Sequence, residues 1–166
     1  MRRTAAAFIL IISLLLAGLA IAGPFEEALK ACDRGDHMTE YGLIESLADQ
    51  GNASAQYHLG VMYDDGHGVP QDYNKASMWY EMAAGKGNAK AMFNIGEMYA
   101  SGKGVPQDYV LAYMWFTLAA SRYPASEIAD RNNVAIKINE IALKMIPEEI
   151  AEAKRMAREW KPKKER

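Results

Sequence analysis

The sequence predicts an all-α chain built of tandem helical hairpins with capping helices. Three observations carry this. A 36-residue unit occurs twice in succession: Asn52–Gly87 and Asn88–Tyr123 agree in half of their 36 columns, and GVPQDY recurs unchanged at 68–73 and 104–109. Apolar residues within each unit recur at helical spacing. Gly and Pro punctuate both copies at the same places. Self-similarity of this period marks stacked supersecondary units rather than one closed core. At 166 residues, 50% hydrophobic and 24% charged, the chain is long and apolar enough to fold.

Residues 1–22 read as a targeting segment. Arg2 and Arg3 precede an apolar run from Ala5 to Ala22, and Ala20-Ile21-Ala22 forms a small-x-small site before Gly23-Pro24. This is the pattern of a secretory signal peptide with cleavage after Ala22. It predicts a periplasmic or secreted product. The alternative is an uncleaved inner-membrane anchor, because the run approaches spanning length. No cysteine follows the run to carry a lipid, and Arg2-Arg3 lacks the rest of a twin-arginine motif.

Residues 23–51 read as a degenerate helical repeat. Ala48 and Gly51 stand where Ala84 and Gly87 stand in the next unit, but the GVPQD loop is replaced by the shorter GDHMT. Residues 52–87 and 88–123 are the full repeats. The first helix is expected over Ala53–Asp65 and Ala89–Ser101, with Ala55, Leu59, Met62 and Tyr63 on one face. Gly66 and Gly68 end it, and Pro70 forbids continuation. Asp72 and Asp108 are N-caps of the second helix, which carries Ala76, Trp79, Tyr80 and Ala83. Trp79, Tyr80 and Met78 are expected to fill the space between units. Gly60 and Gly96 sit mid-helix, at a cost of about 1 kcal/mol each against Ala. The repetition of that cost predicts helix contacts too close for a Cβ.

Residues 124–166 read as C-terminal capping helices and a basic tail. Ile128, Val134, Ile138 and Ile141 mark one helix. Pro147, Glu148 and Glu149 open another, with Ile150, Ala153, Ala157 and Trp160 as its stripe. After removal of residues 1–22 the chain has 17 basic and 21 acidic residues. Seven of the basic and two of the acidic ones lie in Lys154–Arg166, so an acidic body carries a basic tail. The tail reads as a solvated C-terminus whose cations favour the last helical turn; contact with an anionic surface is the other reading. The overall balance gives no general pull toward nucleic acid.

LGVMYDDGHGVPQDYNKASMWYEMAA and its second copy, with Ile95 in place of Leu59, resemble the Sel-like repeat family of the tetratricopeptide-like superfamily, exported bacterial type. The P-x-x-I-A-x-A…A-x-x-W ending is similar to that of secreted members, except that Ile146 replaces their usual Ser or Thr cap. The resemblance implies a right-handed α/α solenoid with no enzymatic activity, serving as adaptor or scaffold. It also places the first helices on a concave face. That face would offer Tyr57, His58, Val61, Asp64, Phe93, Asn94 and Glu97, with Ser54 and Lys90 beside them, to a protein or peptide partner.

No reaction centre stands out. One cysteine excludes an intramolecular disulfide, and Cys32 reads as a small buried apolar side chain. His37 stands alone in a turn; His58 and His67 have Asn94 and Lys103 as counterparts, so no shared chemistry holds those positions. Asp64-Asp65-Gly66 lacks the acidic alternation of a calcium loop. Gly66-x-Gly68 follows a helix, not a strand, and has no following Lys-Ser/Thr, so it is no phosphate cradle. Neither a catalytic set nor a cofactor or metal is expected. An envelope enzyme acting on β-lactams or peptidoglycan is the remaining alternative; by resemblance it would need paired cysteines, which this chain lacks.

Overall fold

The computed structural model describes residues 23–162. The expected signal segment, 1–22, and the last four residues of the basic tail lie outside the described residues. Among the described residues all regular structure is helical. Helical residues 23–33 (α1) precede α2 (His37–Asp49), α3 (Ala53–Asp65), α4 (Tyr73–Gly85), α5 (Ala89–Ser101), α6 (Tyr109–Arg122), α7 (Ile128–Ala142) and α8 (Pro147–Glu159). The chain is an all-α solenoid. α3 packs on α4 and α5 on α6 as hairpins. The second helix of each hairpin packs on the first of the next: α2 on α3, α4 on α5, α6 on α7. α8 folds back onto α6.

The repeated GVPQDY block is a set of helix-end partners. Gly66 and Gly102 close α3 and α5 at φ 73° and 75°, a conformation that glycine adopts without a steric cost. Gln71 Nε2 donates to the carbonyl of Asp64 (2.6 Å) and Gln107 Nε2 to that of Ala100 (2.8 Å), satisfying acceptors the helix end leaves open. Asp72 accepts from the backbone N–H groups of Asn74 and Lys75, and Asp108 from that of Leu111. The same backbone ties each loop to the preceding helix, Asp72 N–H to Tyr63 O and Asp108 N–H to Tyr99 O. Asn52 and Asn88 cap α3 and α5 by accepting from the backbone N–H groups of Ala55 and Ala91.

Ile44, Tyr80 and Phe116 occupy one slot, 36 residues apart, in successive second helices, and all three are buried. A Cβ on Gly60 would stand 2.6 Å from the Tyr80 ring, and one on Gly96 would stand 2.8 Å from the Phe116 ring. The glycines therefore make room for the aromatic keys. Two expected core residues face out instead. Met78 is 48% exposed, because its position on α4 turns it away from the neighbouring hairpin while Tyr80 is buried. Ile128 is 66% exposed at the start of α7, where Val134 and Ile141 carry the buried stripe. In α8 only Ala153 is buried outright. Trp160 packs edge-on against Trp115, ring centroids 6.3 Å apart, with the Arg122 guanidinium 5.3 Å from its ring. Ile146 supplies no side-chain cap, but Glu149 accepts from its N–H at 3.0 Å, so half of a capping box survives.

Candidate functional site

The seven residues that the sequence assigns to a partner surface lie on α3 and α5, and the fold divides them. Tyr57 and His58 line a cleft of about 440 Å³. Its other walls are Phe25 of α1, Ser54 of α3, Asn88, Ala89 and Lys90 at the start of α5, and Tyr123, Pro124 and Glu127 of the α6–α7 connection. Asp64, Asn94 and Glu97 line a second depression of about 310 Å³ with Met98, Ser101 and Lys103. Val61 and Phe93 line neither. Val61 packs against the core, and the Phe93 ring lies tilted on Phe116 at 5.6 Å.

The cleft is aromatic with a charge of each sign at its rim. The His58 ring is held edge-on between Phe25 and Tyr57, 5.3 Å from each. Burial, reinforced by Lys90, holds its pKa below the ordinary imidazole value. Burial raises the Tyr57 phenol, helped by Asp130 and Asp65. Tyr123 is pushed up to about 12, chiefly by burial. All three side chains are therefore neutral near pH 7. In the second depression, burial raises the Asp64 carboxyl while the Tyr80 hydroxyl donates to it at 3.1 Å. Glu97 is paired with Lys137 of α7 at 3.3 Å. α7 thus continues the stack and contributes to the face formed by the first helices. The cleft needs Phe25 and the α6–α7 connection, and no local pattern in the sequence marks either one.

A separate cluster forms where α1, α2 and the α3–α4 loop meet. Glu40 Oε2 lies 3.2 Å from His37 Nδ1 and 3.7 Å from His67 Nε2, and the two imidazole centroids are 4.1 Å apart. Cys32 is half-buried, not fully enclosed, and its thiol is held above the ordinary range first by a hydrogen bond to Glu40. Ligand-capable atoms of Cys32, Glu40 and His67 all lie within 4.8 Å of one another. Thirty residues separate His37 from His67 and no motif spans the gap, so nothing in the sequence pairs them. The docking of one repeat's loop on the preceding unit brings them together.

A stack of helical hairpins with a small aromatic cleft on its first-helix face defines a helical repeat protein. The Sel1 repeat model matches residues 53–88 and 89–123. Among solved structures, a Sel1 repeat protein from Oxalobacter formigenes is 30% identical, with a TM-score of 0.59 over 68% of this chain and 88% of that one. A protective antigen of uropathogenic Escherichia coli strains, displaying the same repeat fold, is 25% identical with a TM-score of 0.73 over 82% of this chain. The match covers 29% of the antigen's length, so this chain spans less than a third of it. Cysteine-rich protein B of Helicobacter pylori shares the fold, at 18% identity and a TM-score of 0.51 over 66% of this chain and 93% of that one. No curated protein matches the sequence. The chain belongs to the Sel1 repeat family. Repeats of this family are protein–protein interaction modules, and the fold serves in general as a non-enzymatic scaffold. No helix among the described residues is long and apolar enough to cross a membrane.

Proposed function

We propose that this chain is an exported adaptor without catalytic activity, holding a protein or peptide partner in the Tyr57–His58 cleft. The observation that carries this is the cleft itself: four neutral aromatic or imidazole side chains, Phe25, Tyr57, His58 and Tyr123, from two helices and a connection, with Lys90 and Glu127 beside them. Such a site favours an apolar side chain of a partner, oriented by the polar atoms of its backbone or by a carboxylate facing Lys90. The export part rests on residues 1–22. Retention of that segment would make the same module a membrane-tethered assembly factor.

Two experiments test the proposal. Full-length chain is used to capture partners from envelope extract, side by side with Tyr57→Ala and Lys90→Glu. Truncating a central aromatic anchor costs about 2 kcal/mol, so Tyr57→Ala should weaken recovery about 30-fold. Lys90→Glu is exposed enough to leave the fold intact and should weaken it as well. Equal recovery by all three forms refutes the placement. N-terminal sequencing of the native protein separates export, starting at Gly23, from anchoring, starting at Met1.

A further inference from the structure

We infer that Cys32, Glu40 and His67 bind a zinc ion, with His37 positioning the carboxylate, at the junction of the N-terminal hairpin and the first full repeat. Three independent features converge there.

The first is the donor set. A thiolate, an imidazole nitrogen and a carboxylate oxygen are ligands of borderline-soft Zn²⁺, and hard Ca²⁺ or Mg²⁺ has no use for the sulfur. Their ligand-capable atoms lie within 4.8 Å of one another. Tetrahedral zinc, bonded to nitrogen, oxygen and sulfur at about 2.0–2.3 Å, needs its ligands about 3.3–3.8 Å apart. Closure therefore requires side-chain movements of about an ångström, shared among three flexible groups.

The second is the place of Glu40. Aligning the N-caps Asp36, Asp72 and Asp108 puts Glu40 in the slot of Ala76 and Ala112, both fully buried. The helical stack asks for a methyl group in that slot. Glu40 is only 9% exposed there, and a buried carboxylate is costly unless a cation or donors offset it. Its Oε2 faces both imidazoles, an arrangement that a metal on the carboxylate would complete.

The third is the loop. Residue 67 in the α3–α4 loop stacks on residue 37; the equivalent pair in the next unit is Lys103 over the Tyr73 ring, 5.3 Å away. Where the later junction uses a cation over an aromatic ring, the first uses two imidazoles with a carboxylate and a thiol beside them. A Cβ on Gly68 would stand 3.1 Å from His37 Cβ, so the loop lies close against α2. The ion would fasten the degenerate hairpin, which lacks the GVPQD loop, to the array. Three protein ligands leave a fourth position to water.

The test uses the full chain, dialysed against a chelator under reducing conditions and titrated with zinc chloride by calorimetry, and with cobalt chloride by absorption. The expected result is one zinc per chain and a sulfur-to-cobalt charge-transfer band. Cys32→Ser abolishes the band. Cys32→Ser and His67→Ala each lower zinc affinity by more than tenfold, and His37→Ala, which acts through Glu40, lowers it by about 10-fold. His58→Gln, in the cleft, leaves it unchanged. Circular dichroism on the metal-free variants establishes that each is folded. Absence of stoichiometric zinc overturns the site, as does zinc binding that survives both Cys32→Ser and His67→Ala in folded protein.

Discussion

One substitution type applied at three glycines separates close packing from helix propensity. Gly42, Gly60 and Gly96 all lie inside helices, α2, α3 and α5. Replacing Gly by Ala in a helix interior gains about 1 kcal/mol from propensity alone. At Gly42, which is exposed, a new Cβ meets nothing within 4 Å. Gly42→Ala should therefore stabilise by nearly that amount. At Gly60 the Cβ would stand 2.6 Å from two carbons of the Tyr80 ring, nearly 1 Å inside ordinary contact. Tyr80 has little freedom to retreat: it is buried, and its hydroxyl donates to Asp64. Overpacking of this kind costs about 1–3 kcal/mol. Against the propensity gain, the net is a loss of up to about 2 kcal/mol. For a chain of this size, 1 kcal/mol moves Tm by about 2–4 °C. Thermal and urea unfolding of the three variants is the assay. Gly60→Ala should lower Tm by up to about 8 °C, Gly96→Ala should lower it similarly against Phe116, and Gly42→Ala should raise it by about 2–4 °C. A rise in Tm for Gly60→Ala would refute the claim that the repeated glycine exists to seat the ring.

Further outcomes follow from other contacts. Gln56 is buried with its Oε1 unpartnered, and its counterpart in the second repeat is buried Met92; Gln56→Met should raise stability by about 1 kcal/mol, read from the urea midpoint. The carbonyl of Ala48, which Gln56 Nε2 reaches, keeps its bond from Gly51 N–H after the change. The folded His58 pKa lies below the value of 6.5 expected in the unfolded chain, so the unfolded state binds more protons in that window. Stability should fall as pH drops below 6.5, level off below the folded pKa, and lose that slope in His58→Gln, as measured by urea titrations across the range. Truncation after Pro124 removes α7 and α8 and uncovers Trp115 and Leu118 of α6. It should give a non-cooperative melt with strong dye binding, and a sharp cooperative melt would contradict the capping role.

Much of the architecture was legible because it is written twice. The 36-residue identity, the Gly-Pro punctuation and the Asp caps reflect demands that recur at each helix end, so they survive as repeated letters. Gln71 and Gln107 lay in the same repeated block, but their bonds to carbonyls seven residues back are a property of the folded loop. Met78 and Ile128 were misplaced for a simple reason. Helical spacing identifies an apolar side, and only the neighbouring helix decides which edge of that side is covered. The expectation that Tyr57 and Phe93 share one partner surface rests on their equivalent positions in two repeats. Equivalence fixes backbone placement and the ring behind each residue, Tyr80 behind Tyr57 and Phe116 behind Phe93, whereas only Tyr57 is also walled by the α6–α7 connection.

The sequence by itself determined the units: helix lengths, caps, the glycines that admit an aromatic ring and the order of hairpins. Those are local or strictly periodic constraints, and each is satisfied within one unit or between equivalent neighbours. Tertiary structure alone decided what the ends bring to the array. Phe25 reaches His58 across the first junction, the residues after Tyr123 close the cleft, and Cys32, Glu40 and His67 meet from three separate segments. Contacts between unlike segments leave no period in the chain, because their spacing is set by how rigid bodies stack and not by the rise of any one helix.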